Sequence, residues 1–256
     1  GIIDVLNKRA YEMKDGKRSE IEIAEDKMEV VMDFYESLKE SVAETSEENM
    51  DKFFSGEEFT YPEMINGLRQ GVRELSMFPV LCGSAVNTMG SLMLMDYIAE
   101  LLPTPMEGNY HRATRQDGET EEFVVSPGGV PTAFVFKTVA DPFVGKLSYV
   151  KVISGKLTQE TPGYNPRTEK SERMGKLVAP QGGKQTDIKE ITAGDIGIIT
   201  KLAGLQTGDT LCDPKKIVTL KGLNLPNPCQ SMAVSSTKKG EEEKIAQGLL
   251  RLAEED

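Results

Sequence analysis

The sequence predicts a multidomain chain that joins an α/β part to an all-β part. An α/β segment covers 1–103, a linker and antiparallel β-barrel cover 104–223, and a strand and helix that open an incomplete domain cover 224–256. Three observations carry this reading. The hydrophobic period changes from 3.6 residues to 2 in the middle of the chain. Turn residues recur at short intervals only after that change. The charge changes with it: residues 1–103 hold 10 Lys/Arg against 21 Asp/Glu, a net of −11, whereas residues 104–223 hold 16 against 14, a net of +2. At 256 residues and 38% hydrophobic, the chain is long enough for more than one core.

In the first segment, Gly1 to Leu6 is a short apolar run that reads as a strand. From Ser19 to about Thr45, Met28, Val31, Met32, Tyr35, Leu38 and Val42 recur at the spacing of one helical face, with acids over the remainder. Thr60-Tyr61-Pro62-Glu63 is a capping box that opens a helix through Met64, Leu68, Val72 and Leu75. Phe78-Pro79-Val80-Leu81-Cys82 reads as a buried strand, followed by Gly83-Ser84-Ala85 and a helix from about Ser91 to Leu102. Pro105 to Gly129 is polar and reads as a linker.

The middle segment predicts strands at Thr132–Val139, Leu147–Ser154, Arg173–Ala179, Asp187–Ile191, Ile196–Leu202 and Ile217–Leu220. Turn signals separate them at Asp141-Pro142, Gly155, Pro162-Gly163, Gly182-Gly183, Gly194-Asp195 and Gly208-Asp209. Short strands at this spacing, without intervening helices, predict a closed antiparallel barrel. The last segment offers a strand at Met232–Ser235 and a helix from about Glu241 with Ile245, Leu249, Leu252 and Ala253 on one face. One strand and one helix cannot bury that face, so an incomplete domain is expected.

Several function classes drop out. No run approaches the roughly 18 apolar residues of a membrane helix, and the start has neither the basic nor the apolar region of a signal peptide. Gly1 in place of an initiator Met suggests a piece of a longer protein. Cys82, Cys212 and Cys229 are far apart and form no CxxC pair, which excludes a disulfide framework and a four-ligand zinc site and points to a reducing, cytoplasmic setting. A single histidine, His111, excludes His-based metal clusters, and no metal ligand set is expected. Between Lys146 and Lys189, nine basic residues face four acidic ones, a net of +5. Lys146, Lys151, Lys156, Arg173, Lys176 and Lys184 are therefore the candidates for contact with phosphate, although a solvated face accounts for such a run almost as well.

Most individual motifs have a plain structural explanation. Lys184 follows Gly182-Gly183, but a phosphate loop needs Gly at the position of Val178 and Ser or Thr at that of Gln185, so a hairpin turn is the better reading. Asp195, Asp209 and Asp213 flank glycines as turn residues do. Cys82 reads as a small buried hydrophobe, and His111 has no evident partner. Gly83-Ser84-Ala85 stands apart because it lies between a strand and a helix, where open α/β sheets bind nucleotides. Its backbone N–H groups could meet a base edge.

The residues around it resemble a known family. Phe78 through Ala85, then Gly90, then Leu101-Leu102-Pro103-Thr104-Pro105, is similar to the last nucleotide-binding loop of bacterial elongation factor G and the helix after it. The run Asp141-Pro142-Phe143-Val144-Gly145-Lys146-Leu147 with Val152-Ile153-Ser154-Gly155 resembles the opening of that family's second domain, as does Thr207-Gly208-Asp209-Thr210-Leu211-Cys212-Asp213 further on. Ser236 to Gly240 and the helix after it resemble the start of its third, α+β domain. Val86-Asn87-Thr88-Met89-Gly90 and Val178 through Lys184 depart from the commoner patterns and leave both the housekeeping factor and a divergent paralogue as the parent.

The resemblance implies a partial P-loop GTPase domain carrying its insertion at about 19–75, a translation-factor barrel, and a parent protein that hydrolyses GTP on the ribosome. It also implies that Gly83, Ser84 and Ala85 form the guanine-base loop, that GTP or GDP with Mg²⁺ is the parent's cofactor, and that ribosomal RNA is its partner. The chain itself contains no GxxxxGK[ST], Asp-x-x-Gly or Asn-Lys-x-Asp element. No catalytic residue is therefore assigned to it, and no bound cofactor or membrane contact is expected. A monomer is expected. Two rivals remain: a ribosome-protection or release factor of the same superfamily, and a non-catalytic RNA-binding barrel module.

Overall fold

The computed structural model describes residues 1–14, 16–108, 111–141, 143–202 and 204–255. Pro142 of the expected Asp141-Pro142 turn, and the final Asp256, lie outside the described residues. The chain divides into two compact units, Gly1–Pro103 and Thr104–Asp256.

In the first unit, β1 (Ile2–Asp4), β2 (Arg9–Lys14) and β3 (Lys17–Ile21) form an antiparallel meander. Helices follow at α1 (Glu25–Ala43), α2 (Glu47–Phe54), α3 (Tyr61–Glu74) and α4 (Ser91–Leu101). The expected helix start at Ser19 is corrected: Ser19 to Ile21 belong to β3, paired with β2 at Glu12↔Ser19 and Ala10↔Ile21. The capping box forms as expected, with Glu63 Oε2 accepting from the Thr60 amide at 2.6 Å. Lys52 at 2.6 Å and those Thr60 bonds draw the Glu63 carboxyl down to about 2. Tyr35, Val42, Ala43, Phe59, Met64, Leu68 and Leu101 make the core. Asp4, nearly buried, accepts from the Tyr97 hydroxyl at 2.6 Å and from Asn7, fastening β1 to α4.

The expected strand at Phe78–Cys82 does not form. Phe78 is 75% and Val80 87% exposed, and Cys82 is exposed rather than buried. A strand is held by a neighbour's hydrogen bonds. β1 is an edge strand paired only with β2, and no described strand, β1 included, pairs with residues 78–82. These residues instead line an open apolar groove of about 760 Å³ beside β1, α1 and α4. The parallel sheet of an α/β domain is accordingly not observed; every pairing between described strands is antiparallel.

The second unit begins with a correction to the linker. β4 (His111–Arg115) and β5 (Thr120–Phe123) form a hairpin. Arg115 and Lys216 both bond Glu121 on its surface, at 2.7 and 2.6 Å. These charges hide the short inward alternation of Ala113 and Phe123 that packs on Val125, Ile153, Cys212, Val218 and Leu220.

The remaining strands are β6 (Thr132–Asp141), β7 (Gly145–Ser154), β8 (Lys156–Thr158), β9 (Pro162–Asn165), β10 (Lys170–Arg173), β11 (Leu177–Gln181), β12 (Lys184–Ile188), β13 (Glu190–Thr192), β14 (Ile196–Thr200), β15 (Thr210–Cys212) and β16 (Val218–Leu220). The predicted strand Arg173–Ala179 is thus two strands split at Met174–Lys176, and Asp187–Ile191 is split between β12 and β13. Eight strands pair in the order β10-β9-β15-β6-β7-β14-β11-β12, β13 pairs with β8, and β16 with β4. Among the described residues the hydrogen-bond ladder stays open between β10 and β12, so the expected barrel is closed by packing and not by a continuous ladder. The sheet rolls around one core of Val135, Val150, Val152, Leu177, Ile199, Leu205 and neighbours.

The expected strand at Met232–Ser235 is also absent, and Met232 is 79% exposed. Nothing described pairs with it. The expected C-terminal helix is α5 (Glu242–Glu255), fastened to β6 by the Ala140 amide donating to Glu255 Oε1 at 2.6 Å.

Asp209 is a structural anchor rather than a plain turn residue. It is 5% exposed. Arg167 binds both its oxygens, at 2.6 and 2.9 Å, while Asn165 and the Gln206 amide donate to Oδ2 at 2.9 Å. Burial would raise this carboxyl's pKa, but the Arg167, Gln206 and Asn165 donors outweigh it and hold it below the ordinary value. A carboxyl depressed in the fold stabilises above its unfolded pKa, about 4, and that stability drains away as pH falls through the lower folded value. Asp209→Asn should cost about 1.5–3 kcal/mol at pH 7, held down because the Arg167 side chain is 47% exposed and can be rehydrated. Urea unfolding should show the gap from wild type narrowing towards pH 3. A gap independent of pH would remove the ion pair as its cause.

Candidate functional site

The loop after Cys82 is built by its own hydrogen bonds. The Ser84 amide donates to the Met89 carbonyl at 2.9 Å and the Met89 amide to the Ser84 carbonyl at 3.0 Å, while the Thr88 amide returns to the Ala85 carbonyl at 3.3 Å. Two glycines allow this closure. A Cβ on Gly83 would stand 2.8 Å from the Met89 carbonyl oxygen, and one on Gly90, at φ +81°, 2.9 Å from that of Cys82. Gly90 then serves as the N-cap of α4.

Ser84 thus commits its amide and carbonyl within the loop. The Ala85 amide and the Ser84 hydroxyl remain as the groups that could meet a base edge, and Ala85 is exposed. The arrangement can offer a short polar edge to a planar base. The sequence supplies no phosphate loop beside it.

The six basic candidates are not gathered on one face. Lys146 and Lys151 stand on β7 five residues apart, an odd spacing that places them on opposite faces of the strand. Arg173 lies on edge strand β10 and Lys184 at the start of the other edge strand, β12. Lys156 pairs with Glu190 at 3.0 Å, and Lys176 with Asp187 at 2.6 Å. Lys151 alone joins a groove, with His111 and Arg112 of β4, Phe134 of β6, Ile153 of β7, Leu220 of β16 and the following Lys221. Sequence reasoning placed His111 in a linker and missed this convergence, because the partners are far apart in the chain. The only signal was the His-Arg pair opening an alternating run.

Comparison with known proteins now bears on the barrel. Residues 131–214 match the family elongation factor G domain 2. Residues 131–214 are thus an elongation factor G domain 2. Its fold also matches a crystal structure of a protein from Thermus thermophilus, with a TM-score of 0.81 and 28% identity. That match covers 99% of this chain and 36% of the other, so the chain spans about a third of the length of that relative. The family is one of translation factors. Among the described residues, no helix is long and apolar enough to cross a membrane.

The loop geometry has a direct check. The Ser84 and Met89 amides should exchange slowly with deuterium, and Gly90→Ala should speed both at least tenfold by forcing the Cys82 carbonyl away. Unchanged exchange would show that the loop does not depend on that glycine.

Proposed function

We propose that the chain is part of a ribosome-associated translational GTPase that uses GTP hydrolysis to drive movement during protein synthesis. The observation that carries this reading is the elongation factor G domain 2 at residues 131–214. In this reading the barrel approaches ribosomal RNA through some of Lys146, Lys151, Lys156, Arg173, Lys176 and Lys184. Gly83, Ser84 and Ala85 touch the guanine base, and GTP or GDP with Mg²⁺ is held mainly by residues outside these 256. The setting is the cytoplasm.

The chemistry available in this chain is small. One base contact nets about 0.5–1.5 kcal/mol, against about 4 kcal/mol for even a millimolar site. The 256-residue chain should therefore show no GTP hydrolysis, and micromolar GDP should leave the Ser84 and Ala85 amide signals unmoved. GDP that moves those amides at micromolar concentration would overturn this accounting for the loop.

Charge reversal at Arg173 and Lys184 in the full-length protein tests the ribosome contact. Removing one phosphate-binding cation should flatten the slope of log affinity against log salt by about one unit. An unchanged slope with unchanged ribosome affinity would overturn the assignment of these residues.

A further inference from the structure

The groove at Lys151 has a built chemistry that the preceding reading does not use. It lies in the second unit, between the outer face of the β6–β7 pair and the β4–β16 pair, and encloses about 430 Å³. That is within the usual size range of small-ligand pockets. Its floor is apolar: Ile153 and Leu220 are 2% and 5% exposed, and Phe134, half-buried, stands opposite Lys151 in the ladder. Its rim is cationic: Arg112, Lys151 and Lys221, with His111 beside them. Among the described residues no carboxylate lines it, although the chain carries a net charge of −11. Among the described residues, Lys151 and Lys221 have no acidic partner, unlike Lys156 and Lys176.

The geometry points to this groove as a binding site for a nucleoside phosphate unit, its phosphate held by Lys151 and Lys221 and its base laid on Phe134. An apolar floor under an aromatic edge is what a base needs, because stacking on an aromatic side chain is favourable whatever the base. A bare inorganic anion would leave that floor unused. The unit could belong to a single RNA strand running through the open groove or to a free mononucleotide. Lys151 is also one of the ribosomal candidates above, but the inference is argued from the lining of the groove and not from that assignment.

His111 is the reporter. It is the sole histidine of the chain, so its imidazole gives one resolved proton signal. Burial and the neighbouring Lys151 charge hold its pKa below the ordinary histidine value. The charged groups that flank it are Arg112 on its own strand, Glu122 paired with Arg112 from β5, Lys151 from β7 and Lys221 after β16. A phosphate on Lys151 and Lys221 would offset those charges and let the imidazole take up a proton at a higher pH.

The test follows the His111 signal in the 256-residue chain at low salt, with single-stranded hexa-adenylate RNA, adenosine monophosphate, inorganic phosphate and a polyglutamate peptide as probes. The RNA or the mononucleotide should shift the signal and raise its titration midpoint. Lys151→Ala and Lys221→Ala together should weaken that binding about tenfold or more, while Lys170→Ala on the β10 edge and the urea midpoint stay unchanged. A strand that binds far better than the mononucleotide identifies RNA as the source, and equal affinity per site identifies a free nucleotide. The inference is overturned if neither moves His111, if the double variant binds as well as wild type, or if phosphate or polyglutamate binds as tightly as the nucleotide.

Discussion

The second unit depends on a three-residue link. Met174-Gly175-Lys176 joins β10, one edge of the eight-stranded sheet, to β11, six strands away in ladder order. In a flat sheet those strands would stand about 29 Å apart at the usual inter-strand spacing. The link, counted from Arg173 to Leu177, spans about 14 Å at most. The sheet therefore has to roll, and rolling brings Val135, Val152, Leu177 and Ile199 onto one core. At the link the backbones almost touch: a Cβ on Gly175 would fall 1.9 Å from the Thr200 carbonyl oxygen, and the Thr200 amide donates to the Lys176 carbonyl at 3.1 Å. Closure thus comes from chain connectivity and packing. The hydrogen-bond ladder itself stays open between β10 and β12. The register shifts on β6 near Thr132 and Val135 supply part of the bend.

Stability and the groove are connected through two adjacent residues. Asp209 pins the 204–209 loop to β9 and the turn after it through Asn165 and Arg167. Thr210, next in sequence, pairs with Phe134 on β6, and its hydroxyl oxygen accepts from the Leu220 amide at 2.8 Å. The same short stretch therefore sets the loop, the floor residue Phe134 and the approach of β16 that carries Leu220 and Lys221. A buried ion pair is often no better for stability than an apolar replacement. What the Asp209 pair supplies here is a defined position, since apolar side chains could slide where a bidentate guanidinium cannot.

What was legible in the sequence followed the range of the interactions involved. The Thr60–Glu63 capping box, α4 and the two long strands β6 and β7 are local patterns, and the structure keeps them. Phe78–Cys82 has strand composition, yet composition does not supply a partner backbone, and the segment stays unpaired and exposed. The β4–β5 hairpin was obscured because only Ala113 and Phe123 face the core, while Arg115, Glu121 and their partners hold the surface. The loop from Gly83 to Gly90 was legible as a connection between extended sequence and helix α4. Its closure through Ser84 and Met89 was not, since that depends on two backbone approaches only glycine permits. The groove was invisible because His111, Phe134, Lys151 and Lys221 meet only after the sheet has rolled.

Net charge is a poor guide to where a polyanion would bind this chain. The excess of acid falls in residues 1–103, and fields from exposed charges fade over about 8 Å at physiological salt. Local composition decides instead. Lys156 and Lys176 lie in the +5 stretch but are each held by an exposed carboxylate, so a phosphate would first have to displace Glu190 or Asp187. Such exposed pairs are worth only about 0.2–1 kcal/mol, so they attenuate those two sites without abolishing them. Lys151 and Lys221 carry no such competitor and stand over an apolar floor, where attraction is less screened than on open surface. The strongest polyanion site in an acidic chain is then where carboxylates are absent from the walls, and the groove between β4–β16 and β6–β7 meets that condition.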